Sequence, residues 1–211
     1  MRAQGIVRKS LRFEKISFLL KVLNQICSKV LQMKKTFLII ALISGCIYTQ
    51  AQEQSKGIEK VLGEQRMPDV TLTDIQGKKT NVADYAKTGK VTVLSFWATW
   101  CIPCKKELTN ISGLYDDWKK KYNLQLIAVS IDDSRSAGKV KPYVDGQRWD
   151  YDVLLDVNQD LKRALNIQSV PFTVVFDQTG KVAFIHSGYV EGDEYVLADE
   201  LQKLTDKSSG K

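Results

Sequence analysis

A single stretch, Val91–Leu108, constrains the fold of this chain more than any other. It begins with a run of β-branched and aromatic residues, Val91–Trp97, which is typical of a strand covered on both faces. Two cysteines follow, Cys101 and Cys104, and then a pattern with helical spacing that continues to about Tyr122. The sequence therefore predicts a buried strand that leads directly into a helix, with both cysteines at the junction.

The position of the two cysteines predicts redox chemistry. Cys101 falls at the predicted N-terminus of the helix, where unpaired N–H groups and the positive end of the helix dipole favour a thiolate. We therefore expect Cys101 to be the nucleophile. Cys104 is one helical neighbour away, close enough to attack a mixed disulfide at Cys101 and to close a small disulfide ring. Pro103 fits early in the helix, where its missing N–H is not needed.

A Cys-x-x-Cys pair can also bind zinc, attach haem or form a structural disulfide, and these roles fit this chain less well. Structural zinc normally takes four Cys or His ligands, and besides the pair the chain offers only His186, Cys27 and Cys46. Covalent haem attachment would need a histidine directly after the second cysteine, where Lys105 stands. A purely structural disulfide across so short a loop would gain little loop-closure entropy. We therefore predict no metal and no cofactor.

The N-terminal region predicts export. Residues 33–51 combine a methionine, two lysines, an apolar run and small residues around Ala51, which is the pattern of a secretory signal peptide. We therefore expect the true start at Met33 and residues 1–32 to be an extension from an upstream start codon, with a long n-region of the signal as the alternative. Cleavage after Ala51 is favoured, and lipidation at Cys46 stays open as a membrane anchor. In both cases we expect the domain in the periplasm or cell envelope.

The charge balance argues against a polyanionic partner. The whole chain has a formal net charge of +7, but residues 1–51 hold nine basic side chains and one acidic one. Residues 52–211 hold 22 basic and 23 acidic side chains, a net charge of −1. The basic excess belongs to the targeting region, so we predict no nucleic-acid partner. After cleavage at Ala51 only Cys101 and Cys104 remain, an even number suited to an oxidising compartment.

The rest of the sequence predicts one α/β domain over residues 67–205, between a flexible lead-in at 52–66 and a polar tail at 206–211. A hairpin opens the domain, a strand–helix–strand unit supplies parallel strands, and a second hairpin and a last helix close it. The predicted elements are strands at 70–73 and 79–82, a helical turn at 82–85, a strand at 91–97, a helix to about 122, a strand at 124–131, a helix at 134–147, a strand at 152–155, a helix at 159–165, strands at 172–176 and 181–186, and a helix at 193–204.

Some polar and aromatic residues are assigned to structure rather than to chemistry. Asp132 and Asp133 stand between a strand and a helix, so we interpret them as N-caps and not as metal ligands. His186 lies in a hairpin strand with no Ser, Asp or Cys partner in the local sequence, and we interpret it as structural. Trp97, at the end of the buried strand, is predicted to lie in the core.

This order of elements resembles the thioredoxin fold: a strand, a Trp-Cys-x-Pro-Cys motif, a helix, a later Val-Pro before a hairpin, and a final helix. The string FWATWCIPCKKE, Phe96–Glu107, is similar to the TlpA/ResA branch, the exported thiol:disulfide oxidoreductases of bacteria. The resemblance covers residues 67–205, including the N-terminal hairpin and an insertion in the middle of the domain. It implies a central mixed sheet flanked by helices.

The resemblance also implies a function. It points to an enzyme that exchanges disulfides with other exported proteins, and specifically to a protein-disulfide reductase that a membrane electron donor re-reduces. Cytochrome c maturation and envelope thiol repair are the settings that it suggests. The alternative is a thioredoxin-like binding or metallochaperone module, whose thiols hold a partner without turnover.

A docking surface for the substrate is implied as well. The Val170–Pro171 bond should be cis, with Pro171 beside Cys101 and the backbone of Val170 free to pair with an incoming peptide. Trp100 should form the apolar rim of this surface. The predicted substrate-binding residues are Trp100, Ile102, Pro103, Val170 and Pro171.

Glu107 is predicted to replace a missing proton acceptor. Cytosolic thioredoxin has a buried Asp in the strand before its Phe-Trp pair, whereas this chain has Ser95. Glu107 stands three residues after Cys104, on the helix side that Leu108 and Ile111 mark as core-facing. Burial should raise the pKa of its carboxyl toward neutrality, so that it can accept the proton of Cys104. The alternative is a first-turn Glu that only favours the helix dipole.

Overall fold

A mixed, seven-stranded β-sheet organises residues 65–209, the part of the chain that the structure, a computed structural model, describes. The strands are β1 (Thr71–Asp74), β2 (Lys79–Asn81), β3 (Val91–Trp97), β4 (Leu124–Ser130), β5 (Asp152–Leu155), β6 (Phe172–Phe176) and β7 (Val182–Ser187). The α-helices are α1 (Ile102–Tyr122), α2 (Val140–Gln147), α3 (Asp160–Ala164) and α4 (Asp193–Ser209), and 3₁₀ helices span Val82–Thr88 and Ala137–Lys139.

The strand order β2-β1-β5-β4-β3-β6-β7 places β3 deep inside the sheet. β3 runs parallel to β4 and antiparallel to β6, and all of its side chains are buried. Burial on both faces explains why this strand has a continuous apolar sequence rather than an alternating one. β4 is also parallel to β5, while the β1–β2 and β6–β7 hairpins are antiparallel. The predicted mixed sheet with an N-terminal hairpin is confirmed.

Helix α1 follows β3 directly and covers the sheet with one apolar stripe. Its buried side chains are Cys104, Glu107, Leu108, Ile111, Tyr115, Trp118 and Tyr122. Three lysines occupy its last turn, where positive charge suits the helix dipole, and the helix ends at Asn123 in a left-handed conformation (φ 46°). Helix α4 packs against α1 on the same side of the sheet. Leu108 and Ile111 are among the buried residues of α1, so the predicted core-facing side of α1 is confirmed.

The helix predicted from residue 134 begins later, at Val140. The preceding turn is stabilised locally, because Asp133 Oδ1 accepts hydrogen bonds from the backbone N–H groups of Arg135 and Ser136, both at 3.1 Å. Such Asx turns compete with helix formation for the same amides. Asp133 therefore stabilises a turn and caps no helix. The N-cap prediction is wrong for Asp133 and also for Asp132, whose carboxylate binds Thr99 and Ser130.

Both ends of the domain extend further than predicted. Arg66 forms a β-bridge with Lys181, and the N–H of Val182 donates to the carbonyl of Gln65 at 2.9 Å. The last two residues of the predicted lead-in thus pair with the β6–β7 hairpin. At the other end, α4 continues to Ser209, through residues assigned to the polar tail.

Several predictions fall outside the described residues. These are the extension at 1–32, the signal peptide at 33–51 with Cys46, and the lead-in at 52–64. Between residues 65 and 209 the structure contains no helix that is both long and apolar enough to cross a membrane.

Candidate active site

Cys101 and Cys104 form a disulfide at the junction of β3 and α1, with their Cα atoms 5.4 Å apart. Cys101 is the N-cap of α1, and the backbone N–H of Cys104 points at its Sγ at 3.3 Å. After reduction, this N–H and the helix dipole would favour negative charge on the Cys101 sulfur. Cys104 is fully buried, whereas 5% of Cys101 is exposed, so solvent reaches the pair only at Cys101.

Large apolar side chains lie exposed on both sides of Cys101. Trp100 is 64% exposed and Ile102 is 75% exposed, and Pro103 between the cysteines is exposed as well. Neither Trp100 nor Ile102 packs in the core, although both are residue types that proteins usually bury. Exposed apolar groups beside a reactive disulfide form a surface suited to contact with another protein.

The Val170–Pro171 segment lies at the same end of the sheet. The peptide bond between them is cis, as the resemblance implies. Because β6 begins at Phe172, which pairs with Phe96 near the end of β3, Pro171 lies where β3 leads into the cysteine motif. Val170 is half-buried and Pro171 is buried. The sheet thus brings the segment toward the cysteines, and the contact of Pro171 with Cys101 stays a prediction.

Glu107 is a buried carboxyl one helical turn beyond Cys104. Only 4% of the residue is exposed. Oε1 accepts a hydrogen bond of 3.0 Å from the hydroxyl of Thr173 in β6, while Oε2 is buried with no partner. Burial raises the pKa of this carboxyl to about 7; the Thr173 hydroxyl opposes the shift, and the acidic groups of Asp193 and Glu194 add to it. The predicted burial and raised pKa are confirmed, and the role as proton acceptor stays a prediction.

A row of polar side chains crosses the sheet beneath Glu107. Ser95 in β3 pairs with Thr173 in β6, and Thr173 pairs with His186 in β7. Directly opposite residues of antiparallel strands place their side chains on the same face of the sheet. Ser95 is fully buried and its hydroxyl has no partner, Thr173 is 1% exposed, and His186 lies on the edge strand. Periodicity places Thr173 in the core but gives no signal that its hydroxyl meets Glu107.

His186 has an acidic partner that the sequence pattern does not indicate. Its Nε2 lies 3.0 Å from Oδ2 of Asp193, the first residue of α4. The backbone N–H of Val190 also donates to this Oδ2, and that hydrogen bond is the main cause that lowers the pKa of Asp193. The interpretation of His186 as a residue without an acidic partner is therefore wrong. The turn between β7 and α4 brings His186 and Asp193 together, although they are seven positions apart in the sequence.

Asp132 holds the loop that connects β3 to the cysteines. Its carboxylate accepts hydrogen bonds from the Thr99 N–H at 2.8 Å, the Thr99 hydroxyl at 2.6 Å and the Ser130 hydroxyl at 2.8 Å. The residue is only 1% exposed. Instead of capping a helix, Asp132 fixes Thr99 two residues before Cys101. The sequence shows only that Asp132 follows a strand. An Asp at such a position can cap a helix, stabilise a turn or bind a neighbouring loop, so its contact with Thr99 could not be predicted.

No group of three or more His, Cys, Asp or Glu side chains in the described part of the chain could hold a metal ion. Cys101 and Cys104 already bond to each other. Among the residues described, the chemistry that this site offers is therefore thiol–disulfide exchange supported by a buried carboxyl.

Comparison with known proteins agrees with this chemistry. The model of the AhpC/TSA family matches residues 64–185. The thiol-disulfide oxidoreductases ResA of Bacillus cereus and Bacillus thuringiensis are 30% and 31% identical over 169 residues, which covers 80% of this chain and 94% of each relative. The solution structure of a thioredoxin-like protein from Porphyromonas gingivalis is 42% identical, with a TM-score of 0.60, over 67% of this chain and 92% of that one.

These findings confirm the predicted thioredoxin fold and the predicted enzyme class. The family match covers more than half of the chain, and the ResA relatives align over almost their whole length. The chain therefore belongs to the AhpC/TSA family and, within it, to the ResA-like thiol-disulfide oxidoreductases.

Proposed function

We propose that the protein reduces disulfides of other exported proteins through the dithiol form of Cys101 and Cys104. The thiolate of Cys101 attacks a substrate disulfide, forms a mixed disulfide and releases one substrate thiolate. Cys104 then attacks the sulfur of Cys101, which releases the second substrate thiolate and leaves the Cys101–Cys104 disulfide. Two electrons pass from the protein to the substrate in each cycle. The observation that carries the proposal is the disulfide at the N-terminus of α1, reached only through Cys101.

Glu107 is the proposed proton acceptor for the second step. Cys104 is fully buried, and in the reduced protein its thiol must lose its proton to attack. A carboxyl one turn away with a pKa of about 7 is ionised often enough near neutrality to accept that proton, and is basic enough to hold it. Ser95, where cytosolic thioredoxin has an Asp, supplies no titratable group.

Trp100, Ile102 and Pro103 form the proposed docking surface, together with Val170 and Pro171. The exposed apolar groups of Trp100, Ile102 and Pro103 would contact the chain on either side of a substrate disulfide, and the backbone of Val170 would pair with it as an added strand. The setting is the periplasm or cell envelope, reached through the signal peptide at 33–51. A membrane electron donor would return the disulfide to the dithiol, and lipidation at Cys46 is the alternative to a freely diffusing protein.

Maturation of c-type cytochromes is the proposed setting with the clearest chemical need. Haem attachment requires both thiols of a Cys-x-x-Cys-His motif, and an oxidising compartment would join them as a disulfide. A synthetic Cys-x-x-Cys-His peptide disulfide tests this idea against the same peptide with His replaced by Ala. Equal reduction rates would leave a general reductase and would contradict specificity for the haem-binding motif.

The reaction itself is tested by trapping. Cys104→Ser should accumulate a mixed disulfide at Cys101 when the reduced protein meets a protein disulfide, as detected by mass spectrometry. The matched variant Cys101→Ser should form far less, because Cys104 is buried. Equal trapping by both variants, or none by Cys104→Ser, would contradict the assigned roles.

The direction of the reaction is decided by the redox potential. Reducing members of this fold lie near about −270 mV, and a strong oxidant lies near about −120 mV. We expect a value near the reducing end, measured by equilibration with glutathione or dithiothreitol buffers. A value near the oxidising end would mean that the protein donates disulfides instead.

A further inference from the structure

A small crevice lies between Glu107 and the surface of the protein. It has a volume of about 10 Å³, and its lining includes Glu107, Thr173, His186 and Asp193. A cavity on this measure needs roughly 10 to 15 Å³ and several polar partners to hold one water molecule. The crevice reaches the lower end of this volume, and the four residues carry carboxyl, hydroxyl and imidazole groups that could bind a water molecule.

One polar atom beside this crevice has no partner. Oε2 of Glu107 is buried without a hydrogen bond, in a residue that is only 4% exposed. Leaving a buried carboxyl oxygen unpaired is unfavourable, and more so when the group is charged. A water molecule in the crevice would satisfy Oε2, while Thr173 already satisfies Oε1.

The crevice opens toward the edge of the sheet, where the exposure of its lining increases. Thr173 pairs with His186 on the edge strand β7, so their side chains share the face that α1 and α4 cover. The side chain of His186 is 30% exposed, and that of its partner Asp193 is 19% exposed. Val196, which also lines the crevice, is 48% exposed. The lining thus runs from a buried carboxyl to solvent.

We propose that this crevice is the proton exit of Glu107, in which one water molecule on Oε2 and the His186–Asp193 pair connect the buried carboxyl to solvent. This inference rests on the proposed role of Glu107 as the acceptor of the Cys104 proton. The thiol proton of Cys104 moves to the Glu107 carboxylate and gives a carboxylic acid. The acid returns its proton through the water to the imidazole of His186, which releases a proton to solvent, so that Glu107 is ionised again.

The chemistry of the lining fits this role. Imidazole can accept a proton on one ring nitrogen while the other is hydrogen-bonded, and histidine is the side chain best suited to exchange protons near neutrality. The Asp193 carboxylate, held by the Val190 N–H, fixes the orientation of the ring through its contact with Nε2 of His186. A buried carboxyl without such a path would exchange its proton only when the structure opens.

The other titratable groups near Glu107 do not offer an equivalent route. Glu194 faces it from α4, but its carboxylate accepts from Tyr189 at 2.9 Å, from Asn110 at 3.3 Å and from the Gly192 N–H at 3.1 Å. Tyr151 faces it from the segment before β5, and burial raises the pKa of that phenol far above neutrality. Its hydroxyl also donates to the Leu108 carbonyl at 3.1 Å.

The test follows the Glu107 proton directly in the oxidised protein, without substrate. The infrared C=O band of the protonated carboxyl is assigned as the band that disappears in Glu107→Gln. The rate at which this band responds to a pH jump measures proton exchange. His186→Gln should slow the response by about 100-fold, the scale on which acid–base groups accelerate proton transfer, since glutamine can bond Asp193 but cannot take up a proton. Free imidazole added to His186→Ala should restore it.

A second pair of variants tests the route without touching a polar group. Val196→Phe places a larger side chain at the exposed part of the crevice and should also slow the response. Ala183→Phe places the same large side chain at an exposed position of β7 that does not line the crevice, and should leave the rate unchanged. Unchanged rates in both His186→Gln and Val196→Phe would overturn the proposal, as would slowing that imidazole fails to reverse.

The two proposals can fail separately. If Glu107→Gln leaves mixed-disulfide resolution unchanged, the catalytic role of Glu107 is wrong, whereas the infrared rates would still decide whether the crevice carries its proton. If the infrared rates do not change, Glu107 can still act on Cys104 and exchanges its proton elsewhere.

Discussion

The hydroxyl of Thr173 donates a hydrogen bond of 3.0 Å to Oε1 of Glu107, across 66 positions of sequence. This contact links the helix that begins at the redox cysteines to the strand that follows the cis-proline. It joins the two segments that the proposed mechanism needs, one for chemistry and one for docking. It also leaves the carboxyl with a single protein partner in a buried site, which is why its protonation depends so strongly on its surroundings.

The buried carboxyl should make the stability of the oxidised protein fall as the pH rises. The pKa of Glu107 rises from an ordinary value of 4.5 to about 7 on folding, so the folded state holds its proton over a range in which the unfolded chain has lost it. Its contribution is fully present below pH 4.5 and is lost as the pH rises through about 7, by about 3 kcal/mol at most. Urea unfolding at several pH values measures this change.

Glu107→Gln should remove that pH dependence, because glutamine does not titrate. The matched variant Glu191→Gln changes an exposed glutamate that pairs with Lys106, and it should keep the wild-type slope. If the slopes of wild type and Glu107→Gln agree, the carboxyl does not titrate in the range assigned to it.

Thr173→Val should shift the pH dependence of the reaction. The hydroxyl bond favours the ionised carboxylate, so its loss raises the pKa of Glu107 further. A hydrogen bond to a charged group contributes roughly 1.5 kcal/mol or more, which corresponds to about one pH unit. If Glu107 is the proton acceptor, the rate of mixed-disulfide resolution should rise with pH about one unit later than in wild type. Rapid quenching with acid and mass spectrometry can follow this step.

Thr92→Val is the matched control for that measurement. Thr92 is another fully buried threonine, on β3, but its hydroxyl accepts from Gln125 and not from a carboxyl. It should leave the pH profile of resolution in place. Equal shifts in both variants would point to a general loosening of the core instead of a specific contact with Glu107.

Asp132→Ala should destabilise the protein by about 3 kcal/mol, because at least two hydrogen bonds to a buried carboxylate are lost. Thr99 would lose its anchor two residues before Cys101, so turnover with a model disulfide should fall as well. Asp133→Ala changes a neighbouring carboxylate that is 45% exposed and stabilises a turn, and should cost clearly less than Asp132→Ala. Denaturant unfolding of both variants gives the comparison, and similar losses would contradict the assignment.

Ile102→Ser should weaken docking of protein substrates with little effect on stability. The side chain is 75% exposed, so its loss from the folded protein should cost less than about 0.5 kcal/mol. An apolar contact at the centre of an interface contributes roughly 1 kcal/mol or more, which would raise KM for a protein disulfide several-fold. A small disulfide that cannot reach this surface is the control, and its kcat/KM should not change. Equal effects on both substrates would place Ile102 in the redox chemistry itself.

The boundaries of strands β3, β5 and β6 follow from the sequence, because continuous apolar runs between turn residues have few alternatives. The cysteine junction and the core-facing side of α1 follow as well. The start of α2 does not, since the Asp133 carboxylate accepts hydrogen bonds from the Arg135 and Ser136 amides in a local turn that periodicity does not reveal. Helix ends depend on such local hydrogen bonds, so hydrophobic periodicity predicts them less well than it predicts the middle of a helix.

By itself, the sequence determined the dithiol, its place at a helix N-terminus and the burial of Glu107, because these depend on spacing along one strand and one helix. Only the tertiary structure decided which groups surround that carboxyl. Thr173, His186 and Asp193 come from three elements far from Glu107 in the chain, and Asp132 reaches Thr99 from the segment that follows the neighbouring strand β4. Spacing fixes neighbours within a helix or strand, whereas contacts between elements depend on strand order and register, which close these distances only when the sheet is assembled.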